Sequence, residues 1–530
     1  MTEAAPSSFF ASRHSLNGMV CSIDHLASAA GLSALRQGGS AADAAIATSA
    51  VLAVTCQHMC GVGGDLWALV HVPGKKRPFA LNASGRSGSG ARIDSLLADG
   101  LTSMPFHGDP RSVPIPGCVD GWLALHKRFG RLNLETVLED AILLASDGFP
   151  IGAECADATR ALERVPNTDD YLHEGPPKAG SIIRRPGLAK ILSELAAGSR
   201  SSFYEGTFGE ELLAFGSGEY HLEDLKVPQA EWVRPIQTRA FEHQIWGLPP
   251  NSQGYLCLSS AWIASQLGIP TDSTDSLFWH LLAESARQAG FDRPIALHEF
   301  ADGEQLVSQE RLSSRALAIS NNEVSSLGTG VNDGDTIYLN AVDKDRMGIS
   351  LIQSNASGWG ALAFLPETRV SLHNRGIGFS VAPNSPAAYG PHKRPPHTLA
   401  PIVIQRDDGT LRALVGTMGG DSQPQIVLQL LTRLLHCGES SGEALAAPRW
   451  RFADRQSNGF NTWAKPDDVV LEVEGDDPAL IKALHSIGHE VRHLPAGSSA
   501  FGHAHIIEVV GELLSGAAEP RVQTSGLAAY

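Results

Sequence analysis

The chain lacks the features that would tie it to a membrane, to nucleic acid or to an oxidising compartment. No apolar run reaches the roughly 18 residues that a membrane span needs. The opening MTEAAPSSFFASRHSLNGMV carries an acidic Glu3 and has no continuous apolar core after a basic start, unlike a secretory signal; the expected compartment is the cytoplasm. Basic charge is in deficit, with 41 Lys and Arg against 57 Asp and Glu and a formal net charge of -16 at pH 7. No long basic run interrupts that pattern, and such a surface repels nucleic acid and anionic membranes. Seven cysteines, an odd number at wide spacing, make no disulfide framework. Cys56 and Cys60 form a C-x-x-x-C pair with no second pair after it, so buried free thiols are expected in place of a zinc site. Internal repeats and low-complexity tracts are absent too. What remains is 530 residues of ordinary globular composition, 43% hydrophobic, enough to bury a large core.

Residues 24–37 carry apolar residues at helical spacing, and Gly38-Gly39 ends them. Residues 40–54 (SAADAAIATSAVLAV) predict a second helix, with Ser40 as N-cap and Asp43 at its positive end. It is apolar on nearly every side and should be buried. In CGVGGDLWALVHV, Gly61, Gly63 and Gly64 precede a strand over 66–72. A phosphate loop needs strand, then glycines, then helix, so the order excludes a nucleotide site. Residues 120–330 read as mostly helical, with helices over 120–128, 135–147, 186–196 and 278–289. Residues 318–334 (AISNNEVSSLGTGVNDG) are small, polar and turn-rich, an exposed linker. The pattern then changes. Residues 336–342 and 348–353 make a hairpin across DKDRMG, and 400–405, 411–416 and 504–511 read as further strands. Asp407-Asp408-Gly409 turns between the first two of these, and 424–436 reads as a helix after Gly419-Gly420.

The chemistry concentrates at Gly334-Asp335-Thr336-Ile337, where the linker runs straight into a strand beginning with threonine. Cutting the bond before Thr336 would give it a free α-amine beside its hydroxyl. An α-amine titrates near pH 8, so it can serve as the general base that activates the hydroxyl. One residue then supplies nucleophile and base, and the chemistry calls for no metal or organic cofactor. By itself this pattern is ordinary, because threonine opens many strands.

The wider pattern is not ordinary. GGSAADAAIATSAVLAV (38–54), GVGGD (61–65), VPIPGCVDGW (113–122), PPNSQG (249–254), HLLAESARQAGFDR (280–293), DTIYLNAVDKD (335–345), KRPPHTLAP (393–401) and TMGGDSQPQ (417–425) occur in one order along nearly the whole chain. In these blocks the chain resembles the gamma-glutamyltranspeptidase family. The resemblance implies an α+β fold, the four-layer αββα sandwich of N-terminal-nucleophile hydrolases. It implies autoprocessing between Asp335 and Thr336, giving intertwined segments 1–335 and 336–530 that stay associated, with a dimer of such heterodimers allowed. Thr336 matches the catalytic threonine, Ser354 a second hydroxyl bonded to it, and Gly419 and Gly420 the pair whose amides form the oxyanion hole. The implied partner is a small-molecule amide substrate.

The chain also departs from the best-known members. Their ammonium-binding N-N-Q-x-x-D is His373-Asn374-Arg375-Gly376-Ile377-Gly378 here. Arg375 should repel an ammonium group and attract a carboxylate. The family's carboxylate-binding serine pair is His397-Thr398, and its arginine has only a shifted counterpart, Arg86. Arg86, Arg375, His397 and Thr398 are therefore the candidate substrate residues. These departures resemble a cytoplasmic branch that contains oxamate amidohydrolase, class I cephalosporin acylase and glutathione-hydrolase-like proteins. Oxamate-like or glutaryl-like amides are the expected substrates. A γ-glutamyl hydrolase or transpeptidase acting on glutathione is the alternative, and an unprocessed inactive homologue the second. Gly438-Glu439-Ser440-Ser441-Gly442 matches G-x-S-x-G, but a helix precedes it where a nucleophile elbow needs a strand. His503 and His505 are expected to be ordinary strand histidines. Asp421, beside the glycine pair, either orients the site or caps the helix that follows it, and the cap is the favoured reading.

Overall fold

The computed structural model describes residues 12–325, 327, 335–456, 462, 463 and 465–530, with the side chains of Asp335 and Thr336 outside the description. Two antiparallel seven-stranded sheets dominate it. The first runs in the order Arg13–Ser15, Leu513–Ala517, Ala504–Val510, Leu411–Thr417, Ile402–Gln405, His243–Gly247, Ile236–Ala240. The second runs Gly526–Ala529, Met19–Ser22, Asp335–Val342, Gly348–Ala356, Asp65–His71, Phe79–Ala83, Glu231–Val233. Strands from before and after Thr336 interleave in both sheets.

Strand periodicity sorts the side chains into layers. Trp67, Leu69, Tyr338, Ile352, Val403, Leu414 and Ile507 fill the space between the sheets. Their neighbours Leu66, Ala68, Val70, Ile337, Leu339 and Leu351 point the other way, into a core shared with the helices His25–Arg36, Ala41–Thr55 and Cys118–Phe129. On the far side, Ile402, Ile404, Ala413, Val415 and Ile506 pack with helices Gly254–Ser265, Ser276–Gly290 and Gln423–Thr432. The layers are α, β, β, α.

Helix Ala41–Thr55 is buried at all of its positions and starts on a Ser40–Asp43 capping box, as its composition predicts. The hairpin of Asp335–Val342 with Gly348–Ala356 forms in the expected place. The described part of the linker leaves Asn321, Asn322 and Glu323 exposed, while residues 328–334 lie outside the described residues. The middle of the chain is less helical than its sequence suggests. Glu231–Val233, Ile236–Ala240 and His243–Gly247 are strands that complete one edge of each sheet. They are short, and Pro235 interrupts their alternation, so no single stretch is long enough to declare itself. The helix read over 424–436 gives way after Thr432 to a wide π turn, Arg433–Cys437.

Candidate active site

Strand ends meet at one end of the sandwich. Ser354, near the end of its strand, sits opposite Asp65, the first residue of the next strand. On the other side, the beginning of Asp335–Val342 pairs with the end of the same Ser354 strand, with a bulge between Asp335 and Ile337. Thr336 therefore enters the sheet beside Ser354. Glycines permit this closeness: a Cβ on Gly64 would lie 2.2 Å from the Ser354 carbonyl oxygen, and one on Gly63 would lie 2.3 Å from that of Ser371. The GVGG loop is thus a seat for the backbone of the later strands. His373 N–H donates to the Gly63 carbonyl, docking the HNRG segment on the same loop.

Asp65 is the centre of the buried network. Sequence reasoning placed it within GVGGD without singling it out; the available signal was an acidic residue directly after a glycine loop. Its Oδ2 accepts from His397 Nε2 at 2.7 Å and Arg375 Nε at 3.1 Å, with His373 Nδ1 at 3.5 Å. Burial works against the ionised carboxylate, but His397 and Arg375 hold its pKa well below the usual range. Burial, and then Arg375, push His397 down to about 4, so its ring is neutral at pH 7. Leu399 N–H donates to its Nδ1, which fixes the proton on the Nε2 that faces Asp65. Arg375 then spreads its remaining donors: Nη1 to Thr398 Oγ1 at 3.2 Å and Nη2 to Ser354 Oγ at 2.9 Å. The structure brings Ser354, Arg375, His397 and Thr398 together, with all four buried. Arg86 is elsewhere. It pairs with Glu231, which also receives Arg394.

Gly419 and Gly420 follow strand Leu411–Thr417 with φ of 132° and 55°, a conformation that favours glycine. Gln253 Nε2 holds the turn through the Gly420 carbonyl at 2.9 Å and the Thr398 carbonyl at 2.8 Å. The turn Gly420–Ser422 packs against strand Asp335–Val342. Among the described residues neither Gly419 N–H nor Gly420 N–H donates a hydrogen bond to another group. Two open amides on a fixed turn are what an oxyanion needs.

Asp421 does not cap the following helix, whose N-cap is Ser422 with no side-chain cap bond. It is fully buried and pairs with Arg293 at 3.0 Å. Asp421 is the middle residue of a short 3-10 turn, Gly420–Ser422, that precedes the helix, and its carboxylate meets Arg293. Burial raises its pKa to about 6 against the pull of Arg293 and Arg375. Arg293 in turn borders a cavity of about 530 Å³ whose wall includes Met104, Leu297, Ile377, Phe379 and Pro396. Volumes of that order suit small-molecule ligands. Arg86, Arg375, His397 and Thr398 do not line it. A larger cavity of about 1210 Å³ opens among His71, Lys75, Trp246 and Arg406 and contains none of the candidate residues.

The remaining motifs read as structure. Ser440 caps helix Ser441–Ala446 and bonds Glu443. Cys56 and Cys60 are buried free thiols, and among the described residues no group of three His, Cys, Asp or Glu side chains is arranged to hold a metal. His505 lies in strand Ala504–Val510 and His503 just before it, both buried. No helix among the described residues is long and apolar enough to cross a membrane.

Two stacked sheets between helical layers, with strand ends and a glycine turn converging at one end, define the N-terminal-nucleophile hydrolase fold. The chain belongs to the gamma-glutamyltranspeptidase family, whose model matches residues 27–529. It is an amide hydrolase by that membership. It is 34% identical to the oxamate amidohydrolase proenzyme of Klebsiella pneumoniae over 527 residues, covering 96% of this chain and 97% of the relative. It is 33% identical to the glutathione hydrolase-like YwrD proenzyme of Bacillus subtilis, covering 95% and 97%. Among solved structures, cephalosporin acylase from Bacillus halodurans superposes with a TM-score of 0.89 at 29% identity, covering 100% of this chain and 99% of the other.

Proposed function

We propose that the chain is a precursor that cuts itself between Asp335 and Thr336 and then uses Thr336 as the nucleophile of an amidohydrolase. The observation that carries this reading is the pair of open amides at Gly419 and Gly420, on a turn packed against the strand that Thr336 enters. In the proposed cycle the Thr336 hydroxyl attacks the amide carbonyl, its proton passing to the α-amine. The two glycine amides stabilise the tetrahedral oxyanion. The amine leaves with that proton, and water then hydrolyses the threonyl ester. Ser354, held by Arg375, is the neighbouring hydroxyl that orients the nucleophile. Segments 1–335 and 336–530 remain together after the cut, because both sheets need strands from each. Thr336→Ala should abolish self-cleavage and turnover alike. A variant that still splits into pieces of about 335 and 195 residues, or still hydrolyses amides, would sink the mechanism.

The preferred acyl group is not a simple L-γ-glutamyl. Arg375 stands where the family's ammonium-binding amide would be and Gly378, a bare glycine, where its acidic residue would be, and the nearby Asp65 is already engaged by Arg375 and His397. Small amides of oxamate-like or glutaryl-like acids fit this charge. Names of relatives point the same way and also the other: one is an oxamate amidohydrolase and another is glutathione hydrolase-like. A panel of oxamate, glutaryl-p-nitroanilide and γ-glutamyl-p-nitroanilide decides between them. Turnover of the γ-glutamyl compound at a rate equal to the others would favour the glutathione reading.

A further inference from the structure

Helix Ser276–Gly290 buries one face in the core, as its pattern requires, but another row on it serves a different purpose. His280, Glu284, Arg287 and Gln288 stand at i, i+4, i+7 and i+8, one face of a helix. All four bond to the stretch Ser320–Ser325 at the head of the linker. His280 Nε2 meets the Ser320 carbonyl at 2.7 Å. Glu284 Oε2 accepts the Ser325 N–H at 2.8 Å and its O–H at 2.5 Å. Arg287 Nη1 donates to the Ser325 carbonyl at 2.8 Å, and Gln288 Nε2 to the Ser325 Oγ at 3.0 Å. Glu284 and Arg287 pair with each other at 2.8 Å. Arg287 also reaches Asp467 at 3.5 Å, and Asp467 accepts the Leu327 N–H at 2.7 Å.

Every polar group of Ser325 is thus engaged, and Glu284 has no exposure at all. Surface connections do not ordinarily receive buried charged partners, and a buried carboxylate is costly unless well bonded. The anchor needs a reason beyond holding a loop. Ser325 lies ten residues before Asp335 in the sequence. The chain just past the same helix supplies Arg293 to Asp421, beside the Gly419-Gly420 turn. One rigid element therefore touches the head of the linker, and the residue that follows it steadies the glycine turn.

We propose that His280, Glu284, Arg287 and Gln288 are positioning residues for self-cleavage, clamping the linker at Ser325 so that the bond before Thr336 is presented in one geometry. This rests on the proposed cut between Asp335 and Thr336. Without the clamp the chain leading to the junction would be held at the end of helix Gln309–Leu317, eighteen residues before Asp335, and no longer at Ser325, ten before it. Presentation of the junction would lose its fixed direction, and an ångström of misplacement costs on the order of 10²-fold in a reaction.

The test follows cell-free synthesis of the full chain with a short labelling pulse, measuring conversion of precursor to two pieces by gel and by fragment mass. Glu284→Gln and the milder Ser325→Ala should convert about tenfold more slowly than the natural chain. Ser325→Thr, which keeps the hydroxyl, should convert at the natural rate. Once fully converted, the variants should show kcat/KM within about twofold of the natural enzyme, which separates positioning of the junction from general loss of structure. Conversion of both variants at the natural rate overturns the proposal. So does a slowing that is matched by an equal loss of mature turnover and a lowered thermal midpoint. If the natural chain never splits before Thr336, the proposed function falls and the clamp falls with it; if the natural chain splits there and both variants split at its rate, the clamp alone falls.

Discussion

Replacing Asp65 with asparagine removes one charge from the centre of the site while keeping its shape. Arg375 Nε lies 3.1 Å from the Asp65 Oδ2, and both side chains are buried. At an effective dielectric of 20 a contact at that distance carries about 5 kcal/mol of attraction. Desolvation offsets much of it, so the pair adds little net stability over an apolar core. Removing one partner is different, because the other charge stays buried without compensation, and such losses run to about 3–5 kcal/mol. Asparagine can still accept from Arg375 and from His397, which places Asp65→Asn near the lower end, at about 3 kcal/mol. Arg375→Met leaves the carboxylate stranded and should cost a similar amount. The double variant removes both charges and should be about 2 kcal/mol better than the sum of the singles. Urea unfolding followed by tryptophan fluorescence reads this, since Trp67 packs edge-on against His397 at 5.6 Å. Midpoints are to be compared at equal m-values. A single variant within 0.5 kcal/mol of the natural protein (roughly the scatter of surface substitutions), or singles that add without coupling, would refute the account of Asp65 as the counter-charge that keeps Arg375 buried.

Gly64→Ala forces a Cβ to within 2.2 Å of the Ser354 carbonyl oxygen; the strands must separate, and kcat should fall at least about tenfold with a destabilisation of roughly 1–3 kcal/mol, so unchanged kinetics would show that the glycine seat is dispensable. Asp421, raised by burial to about 6, holds a proton in the native chain that the unfolded chain has lost above about pH 4. Its contribution to stability is present below about pH 4 and disappears as pH rises to 6; the thermal midpoint of Asp421→Asn measured across pH 4–7 should lack that slope. Glu519 behaves in the opposite sense. Burial works against its ionised form, but Arg449 and Arg521 bring its pKa down to about 2. That contribution is present above about pH 4.5 and is lost as pH falls toward 2, so Glu519→Gln should cost about 3–5 kcal/mol at pH 7 and progressively less below pH 4; a deficit that does not change with pH argues against the pairing.

The helix Ala41–Thr55 and the hairpin beginning at Thr336 were plain in the sequence because each carries its own pattern and its own cap or turn. The strands Met19–Ser22 and Gly526–Ala529 were not. They are short, and the partners that make them strands lie hundreds of residues away. Asp421 shows the same limit in a single residue. A local view makes an acidic side chain before a helix a cap, whereas its partner is Arg293, 128 positions earlier in the chain.

The sequence by itself determined the family and the place where the linker meets a strand at Thr336, and it singled out Ser354, Gly419 and Gly420 as candidates, because those are written in contiguous blocks. It also showed that a cationic Arg375 and a bare Gly378 stand where an amide and an acid would recognise an ammonium group. Only the tertiary structure decided what Arg375 faces. Its charge is turned inward onto Asp65, Thr398 and Ser354, while the cation at the edge of the cavity is Arg293. The reason is physical: a side chain's identity is fixed by its codon, but the partner that neutralises a buried charge is fixed by which strand ends the fold brings together.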